Sequence, residues 1–280
     1  MFGLADFDLD TFVAATLAED LGTGGDITSA ATIPAGLRLT AVMASRDAIR
    51  VAGLPIAAAF FATLDPDVAI ASHVEDGGDA APGERLMTIA GNARAILAAE
   101  RSVLNTVQHL SGVATLTRAH VEKIRGSGAT LLDTRKTIPG LRVLEKYAVR
   151  MGGGRNHRMR LDDAVLIKDN HIAAAGGIAA AVGAAKAAGL PRIQVEVDRL
   201  DQIEPALAAG AASLLLDNMT PATLREAVQL VAGRATTEAS GGVTLDSIAA
   251  IAASGVDFIS VGRLTQSAPA ADIGLDYLAG

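Results

Sequence analysis

From residue 129 onward, short apolar runs alternate with longer stretches whose apolar positions recur every three or four residues. The runs at 129–132, 164–167, 193–197, 213–216, 235–239 and 258–261 predict strands. The stretches at 141–151, 178–188, 200–209, 221–231 and 245–253 predict the helices between them. The strand-end residues Glu196, Asp217, Glu238 or Ser240, and Gly262 recur about every 21 residues. That β-then-α period predicts a (β/α) barrel of about six to seven strands rather than an open sheet.

The first third has a different rhythm. A helix is expected at 10–21, capped by Gly22, then a strand at 37–46 and a helix at 54–64. Strands follow at 68–74 and 85–89, bounded by Gly77-Gly78-Asp79 and Pro82-Gly83. A long helical region at 92–125 is expected to break near Ser111-Gly112 and to hold the domain boundary. No chemistry is legible in this third. The glycine-rich loop at 22–29 follows no strand and reads as a turn, and Arg101, His73, His109 and His120 read as ordinary surface residues.

Composition narrows this picture. Apolar residues make up 50% of the 280 and aromatic residues only 3%, which suits aliphatic helices packed on a parallel sheet. The absence of cysteine excludes disulfides, thiolate zinc sites and a cysteine nucleophile. The start, MFGLADFDLD, lacks the basic opening of a signal peptide, and the most membrane-like run, 172–191, is Ala/Gly-rich and carries Lys186. A cytoplasmic location without a membrane partner is expected.

Charge points to the chemistry. Residues 133–171 hold nine Lys/Arg against five Asp/Glu, a local +4 in a chain of net charge -7. A small, multiply charged anion fits this contrast, and a nucleic acid does not. Two predicted strands end in Asp133-Thr134-Arg135-Lys136 and Lys168-Asp169-Asn170-His171. Between them, Gly152-Gly153-Gly154 and Arg155-Asn156-His157-Arg158 read as a loop carrying cations. In a barrel, Arg135, Lys136, Lys168, Glu196, Asp217 and Ser240 face one mouth, and Ser240-Gly241-Gly242 with Gly262 stands where barrels bind phosphate.

These residues resemble the quinolinate phosphoribosyltransferase family. The resemblance rests on Glu19-Asp20-Leu21-Gly22, Gly25-Asp26-Ile27-Thr28-Ser29, Glu100-Arg101, Leu110-Ser111-Gly112, the whole of 133–171, Glu196-Val197, Leu216-Asp217-Asn218-Met219, Glu238-Ala239-Ser240-Gly241-Gly242 and Ile259-Ser260-Val261-Gly262. It implies an N-terminal α/β sandwich at 1–112, joined by a tail at about 267–280, and a C-terminal α/β barrel at 113–266. It implies transfer from phosphoribosyl pyrophosphate to quinolinate with Mg²⁺, in a homodimer with sites shared across its interface and assembly to a hexamer left open.

By position, Arg135, Lys136, His157, Arg158 and Lys168 would bind the quinolinate carboxylates, joined by Arg101 from the partner, with Thr134 beside them. Glu196 and Asp217 would take the ribose hydroxyls and Mg²⁺, and with Lys168 form the catalytic set. Ser240, Gly241, Gly242, Val261, Gly262 and Arg263 would hold phosphate. One departure stands out: Gln266 occupies a position where the family often has histidine. The rival readings are a nicotinate-specific transferase or molybdenum-operon homologue of the same fold, and a non-catalytic anion-binding protein.

Overall fold

The computed structural model describes Leu4 and residues 7–278. Met1, Phe2, Gly3, Ala5, Asp6, Ala279 and Gly280, and with them part of the acidic start and the end of the tail, lie outside the described residues. The chain forms two compact units: Met1–Leu116 with Val143–Gly153 and Ser267–Gly280, and Thr117–Arg142 with Gly154–Gln266.

The first unit contains α1 (Leu9–Leu21), α2 (Ile27–Thr32), β1 (Arg38–Ser45), β2 (Ile49–Arg50), α3 (Leu54–Leu64), β3 (Ala69–Ser72), β4 (Asp79–Ala80), β5 (Arg85–Asn92) and the start of α4 (Ala93–Lys123). The glycine-rich turn is a helix cap: Asp26 Oδ1 accepts from Ser29 N at 2.9 Å and opens α2, which was not expected from the sequence. An antiparallel sheet runs in the order β12-β1-β5-β3, where β12 (Ile273–Leu278) returns from the end of the chain. Phe60 and Phe61 of α3, Leu86 and Ile89 of β5, and Ile96 and Val107 of α4 are buried together in this unit's core.

α4 does not break at Ser111-Gly112. Gly112 is there for proximity, since a Cβ on it would meet Pro269 O at 2.0 Å. Ser111 is fully buried, and its hydroxyl bridges Ala52 N and O at 3.1 and 3.2 Å. The helix ladder is intact, so small residues mark a close approach here and not a turn.

The second unit is a parallel sheet with helices between its strands. Its strands are β6 (Thr130–Leu132), β7 (Leu166–Ile167), β8 (Gln194–Val197), β9 (Ser213–Asp217), β10 (Thr236–Ser240) and β11 (Phe258–Ser260), in the order β6-β11-β10-β9-β8-β7. Arg155 adds a parallel bridge on the free side of β6, at Leu132. Among the described residues no pairing joins that bridge to β7, so hydrogen bonds do not close the ring. The crossovers are α6 (Asp169–Ala175), α7 (Ile178–Ala187), α8 (Ile203–Ala209), α9 (Pro221–Val231) and α10 (Ile248–Ala252), and the short α11 (Arg263–Gln266) follows β11.

The helix α5 (Arg142–Met151) falls almost wholly in the first unit. There Glu145 and Lys146 are fully buried, His109 Nε2 lies 2.9 Å from Glu145 Oε1, and the Tyr147 hydroxyl donates to Asp76 Oδ2 at 2.6 Å. The charge-rich stretch at 133–171 is therefore not one cluster, as its composition implied. Lys146 and Arg150 serve the first unit, and Arg142 spends its guanidinium on Thr137 Oγ1 and Met159 O.

Candidate active site

All strands of the second unit run the same way, so their carboxyl ends share one edge. A cavity of about 550 Å³ opens there, and it is lined by Thr134, Arg135, Lys136, His157, Arg158, Lys168, Glu196, Asp217, Ser240, Gly241, Gly242, Val261, Gly262 and Arg263. These are the candidate residues from the sequence, with one exception. Arg101 lies on α4 in the first unit, exposed, and its side chain makes no hydrogen bond or ion pair among the described residues. Its neighbour Glu100 is taken by the Tyr277 hydroxyl. The lining also includes Asn218, Glu238, Ser260 and Gln266, which the candidate set lacked. Strand periodicity held the signal for two of them: Glu238 and Ser260 are each two residues before a candidate, Ser240 and Gly262, and so share its face.

One side of the basin is cationic. After β6 the chain turns through Thr134, whose hydroxyl accepts from Lys136 N at 3.0 Å, while Thr265 Oγ1 donates to Lys136 O at 2.7 Å. Gly262 gives Lys136 room, for a Cβ there would meet Lys136 Cδ at 2.8 Å. Fully buried Asp133 anchors the adjacent loop: its carboxylate accepts from Asn156 Nδ2 at 2.6 Å and from His157 N at 2.9 Å. The Arg158 guanidinium donates to Ala164 O at 3.1 Å, and burial, with the charge of Arg135 beside it, lowers its pKa. Two crowded, partly desolvated guanidiniums make a strong site for carboxylates. Among the described residues Arg135 Nε is buried without a hydrogen-bond partner.

His157 is engaged at both ring nitrogens. Nδ1 accepts from Arg158 N at 2.8 Å, and Nε2 lies 3.3 Å from Glu238 Oε2. His171, quoted with Lys168 in the sequence, acts locally, because its Nδ1 accepts from Lys168 N at 2.9 Å and caps α6.

The other side is acidic. Lys168 Nζ pairs with Glu196 Oε2 at 2.9 Å, and Asn218 Nδ2 donates to Asp217 Oδ2 at 2.6 Å. Burial and the charge of Glu196 push the Asp217 carboxyl above its ordinary range, against the pull of Lys168 and Lys136. No cluster of three or more His, Cys, Asp or Glu with metal-site geometry occurs among the described residues. The neighbouring tip of β10 is a backbone turn. Gly241 has φ +92, and a Cβ on it would meet Asn218 Oδ1 at 2.1 Å. Gly242 has φ +61 and Asn218 φ 55, so the turn is held in left-handed backbone at the cavity edge.

A parallel sheet with a basic wall, a carboxylate pair and a glycine turn at its strand ends defines an anion-binding α/β enzyme domain. The family description "Quinolinate phosphoribosyl transferase, C-terminal domain" matches residues 113–276, and "Quinolinate phosphoribosyl transferase, N-terminal domain" matches 26–111. The chain belongs to the quinolinate phosphoribosyltransferase family. It is 44% identical to a nicotinate-nucleotide pyrophosphorylase [carboxylating] of Mycobacterium leprae over 98% of this chain and 99% of that one. A solved nicotinate-nucleotide pyrophosphorylase of Francisella tularensis superposes with TM-score 0.92 at 42% identity, covering 96% of both chains. One from Ehrlichia chaffeensis gives 0.94 at 36%, covering 98% of this chain and all of the other at 100%.

Proposed function

We propose that this basin transfers the phosphoribosyl group of phosphoribosyl pyrophosphate to the ring nitrogen of quinolinate, yielding nicotinate mononucleotide, pyrophosphate and CO₂ in NAD biosynthesis. The carrying observation is that one cavity joins a cation wall, Arg135, Lys136, Arg158 and Lys168, to the carboxylate pair Glu196 and Asp217 and to the Ser240–Gly242 turn.

The cations bind the two carboxylates of the pyridine and present its nitrogen. Glu196 and Asp217 hold the ribose hydroxyls and stabilise the positive charge that grows at the anomeric carbon as pyrophosphate leaves. Ser240, Gly241, Gly242, Val261, Gly262 and Arg263 hold phosphate, with Thr134 shaping the edge. No protein nucleophile is needed: the pyridine nitrogen forms the new C–N bond as the C–O bond to pyrophosphate breaks. The ring nitrogen is then cationic, so the adjacent carboxylate can depart as CO₂, and the electron pair left on carbon takes a proton. Positioning and charge supply the catalysis.

The donor set fits Mg²⁺ that arrives with phosphoribosyl pyrophosphate. Two carboxylates, one paired with Lys168, are too few for a resident metal and suit an ion held mainly by phosphate oxygens. When bound, the ion neutralises the departing pyrophosphate.

Arg101 has no partner within its own chain among the described residues, which supports a homodimer in which it completes the other subunit's site. No helix among the described residues is long and apolar enough to cross a membrane.

The test is release of labelled CO₂ from carboxyl-labelled quinolinate, required to depend on phosphoribosyl pyrophosphate and Mg²⁺. Turnover of nicotinate without CO₂, or binding without turnover, would replace this reading with one of its rivals.

A further inference from the structure

Thr265 spends its one polar group on a residue 129 positions away. The side chain is fully buried, on the short helix α11 that follows β11. A helical threonine ordinarily returns its hydroxyl to a carbonyl about one turn earlier. Here that carbonyl, Gly262 O, lies 3.5 Å away, while Lys136 O accepts at 2.7 Å. A fully buried hydroxyl needs an acceptor, and this one is taken from another loop. β11 pairs with β6 up to Ser260 and Leu132, and Val261 N then donates to Leu132 O at 3.0 Å. The Thr265 hydroxyl carries that pairing past the strand ends, into the two loops that line the cavity.

Lys136 is held at its base and not at its tip. Its N–H donates to Thr134 Oγ1 at 3.0 Å and its carbonyl accepts from Thr265, so two threonine hydroxyls clamp its backbone. Its stem lies against Gly262, where an added Cβ would meet Lys136 Cδ at 2.8 Å and Lys136 Cβ at 3.6 Å. The residue is exposed, and its ammonium makes no hydrogen bond or ion pair among the described residues. Lys168 is the contrast, since Glu196 Oε2 tethers its ammonium at 2.9 Å. A flexible four-carbon stem without a tether takes its direction from its backbone and from what it lies against.

We propose that Thr265 is a positioning residue for Lys136. Its hydroxyl fixes the Lys136 backbone to α11, so that the stem runs over Gly262 and the ammonium is presented to the cavity before the substrates arrive. This rests on the reading of the cavity as the transferase site. The position of Lys136 can be followed from the opposite side of the basin. Burial and the charge of Glu196 raise the Asp217 carboxyl, Lys168 and then Lys136 pull it back down, and Asp169 pushes it up.

Release of labelled CO₂ is measured against pH and against each substrate in wild type, Thr265→Val, Thr265→Ser, Lys136→Ala and the double variant Lys136→Ala with Thr265→Val. Valine keeps the shape of threonine and removes the hydroxyl. In Thr265→Val kcat/KM falls about tenfold, and serine restores it to within about twofold of wild type. The acid side of the pH profile moves to higher pH in Thr265→Val, because a wandering Lys136 pulls less on Asp217. Loss of packing alone would leave that profile in place. Since Thr265 acts through Lys136, valine costs less than about twofold more in the Lys136→Ala background. Should Lys136→Ala be silent, the serine rescue and the pH shift decide. If Thr265→Val does not fold, Thr265→Ala removes the same hydroxyl with less bulk, and the same outcomes are read on it.

Wild-type kcat/KM and pH profile without the hydroxyl, even at a lower melting temperature, make Thr265 a packing residue and overturn the proposal. So does a full tenfold loss in the Lys136→Ala background. Either result leaves the proposed activity standing, whereas a wild type that releases no CO₂ removes both.

Discussion

Gly241→Ala tests the glycine turn with a cost that can be worked from the structure. The residue has φ +92, where an L side chain costs on the order of 1–2 kcal/mol. The new Cβ would lie 2.1 Å from Asn218 Oδ1, 2.7 Å from its Cγ and 2.8 Å from its backbone N. The side chain of Asn218 can swing aside, but its backbone cannot, because Asn218 N is tied to Ser240 O at 2.9 Å. Swinging aside gives up the 2.6 Å hydrogen bond to Asp217, worth about 1–3 kcal/mol because the acceptor is charged and Asp217 is only partly exposed. The total is about 2–5 kcal/mol, enough to lower the melting temperature by roughly 3–9 °C in a chain this long. Function should suffer at one substrate. In the proposed reading the turn and Asp217 serve the phosphoribosyl end, so KM for phosphoribosyl pyrophosphate should rise about tenfold or more, while calorimetric affinity for quinolinate stays within about twofold. Steady-state kinetics with each substrate varied in turn separates the two. If both KM values rise equally, or if KM for phosphoribosyl pyrophosphate is unchanged despite the lower melting temperature, the turn is structural and the phosphate assignment is wrong.

Lys168→Ala should cut turnover at least about tenfold with the fold intact, and circular dichroism and kcat/KM check this. The same change should shift the acid side of the pH profile. With Asp217 acting as its carboxylate, as proposed, its raised pKa should make activity fall as pH drops through it; Lys168 pulls that pKa down, so removing the lysine should move the fall to higher pH. EDTA should stop turnover without lowering the melting temperature of the ligand-free protein, whereas a large drop would reveal a structural metal. Arg101→Ala and Lys168→Ala should each be nearly inactive, and refolding them together should restore activity, since one site of a mixed dimer keeps both residues. No recovery in confirmed mixed dimers would place Arg101 outside the partner's site.

Much of the second unit was legible because each strand is a short aliphatic run and its chemistry begins where the run stops. Leu214-Leu215-Leu216 ends at Asp217, and Thr130-Leu131-Leu132 ends ahead of the Thr134-Arg135-Lys136 turn. What composition could not reveal was where a charge points. Glu145 and Lys146 look like surface residues in a basic stretch, but α5 buries both in the first unit. Asp133 looks like the first residue of an exposed motif and is instead the buried acceptor that holds the Arg155–Arg158 loop. Glu238 was legible as a strand end, but not as a buried acid in the cavity lining. Buried acids of this kind answer to partners distant in sequence, so local patterning carries little trace of them. The expected break in α4 failed for a related reason: Gly112 answers to Pro269, far along the chain.

The return of β12 to the first sheet has a consequence for synthesis. β1 is an interior strand only because β12 covers one of its sides, from Thr40–Leu278 to Ser45–Ile273. A ribosome releases β1 early and β12 last among the described strands, a delay of roughly 10–50 s at typical elongation rates. Throughout that interval the nascent chain carries an open strand edge bearing the apolar run Ala41-Val42-Met43-Ala44, the kind of surface that recruits other strands. Every strand of the second unit has meanwhile emerged. A chain whose translation stops short would therefore own a complete set of basin residues and an adhesive first sheet, and its fate would be clumping or chaperone capture rather than partial activity.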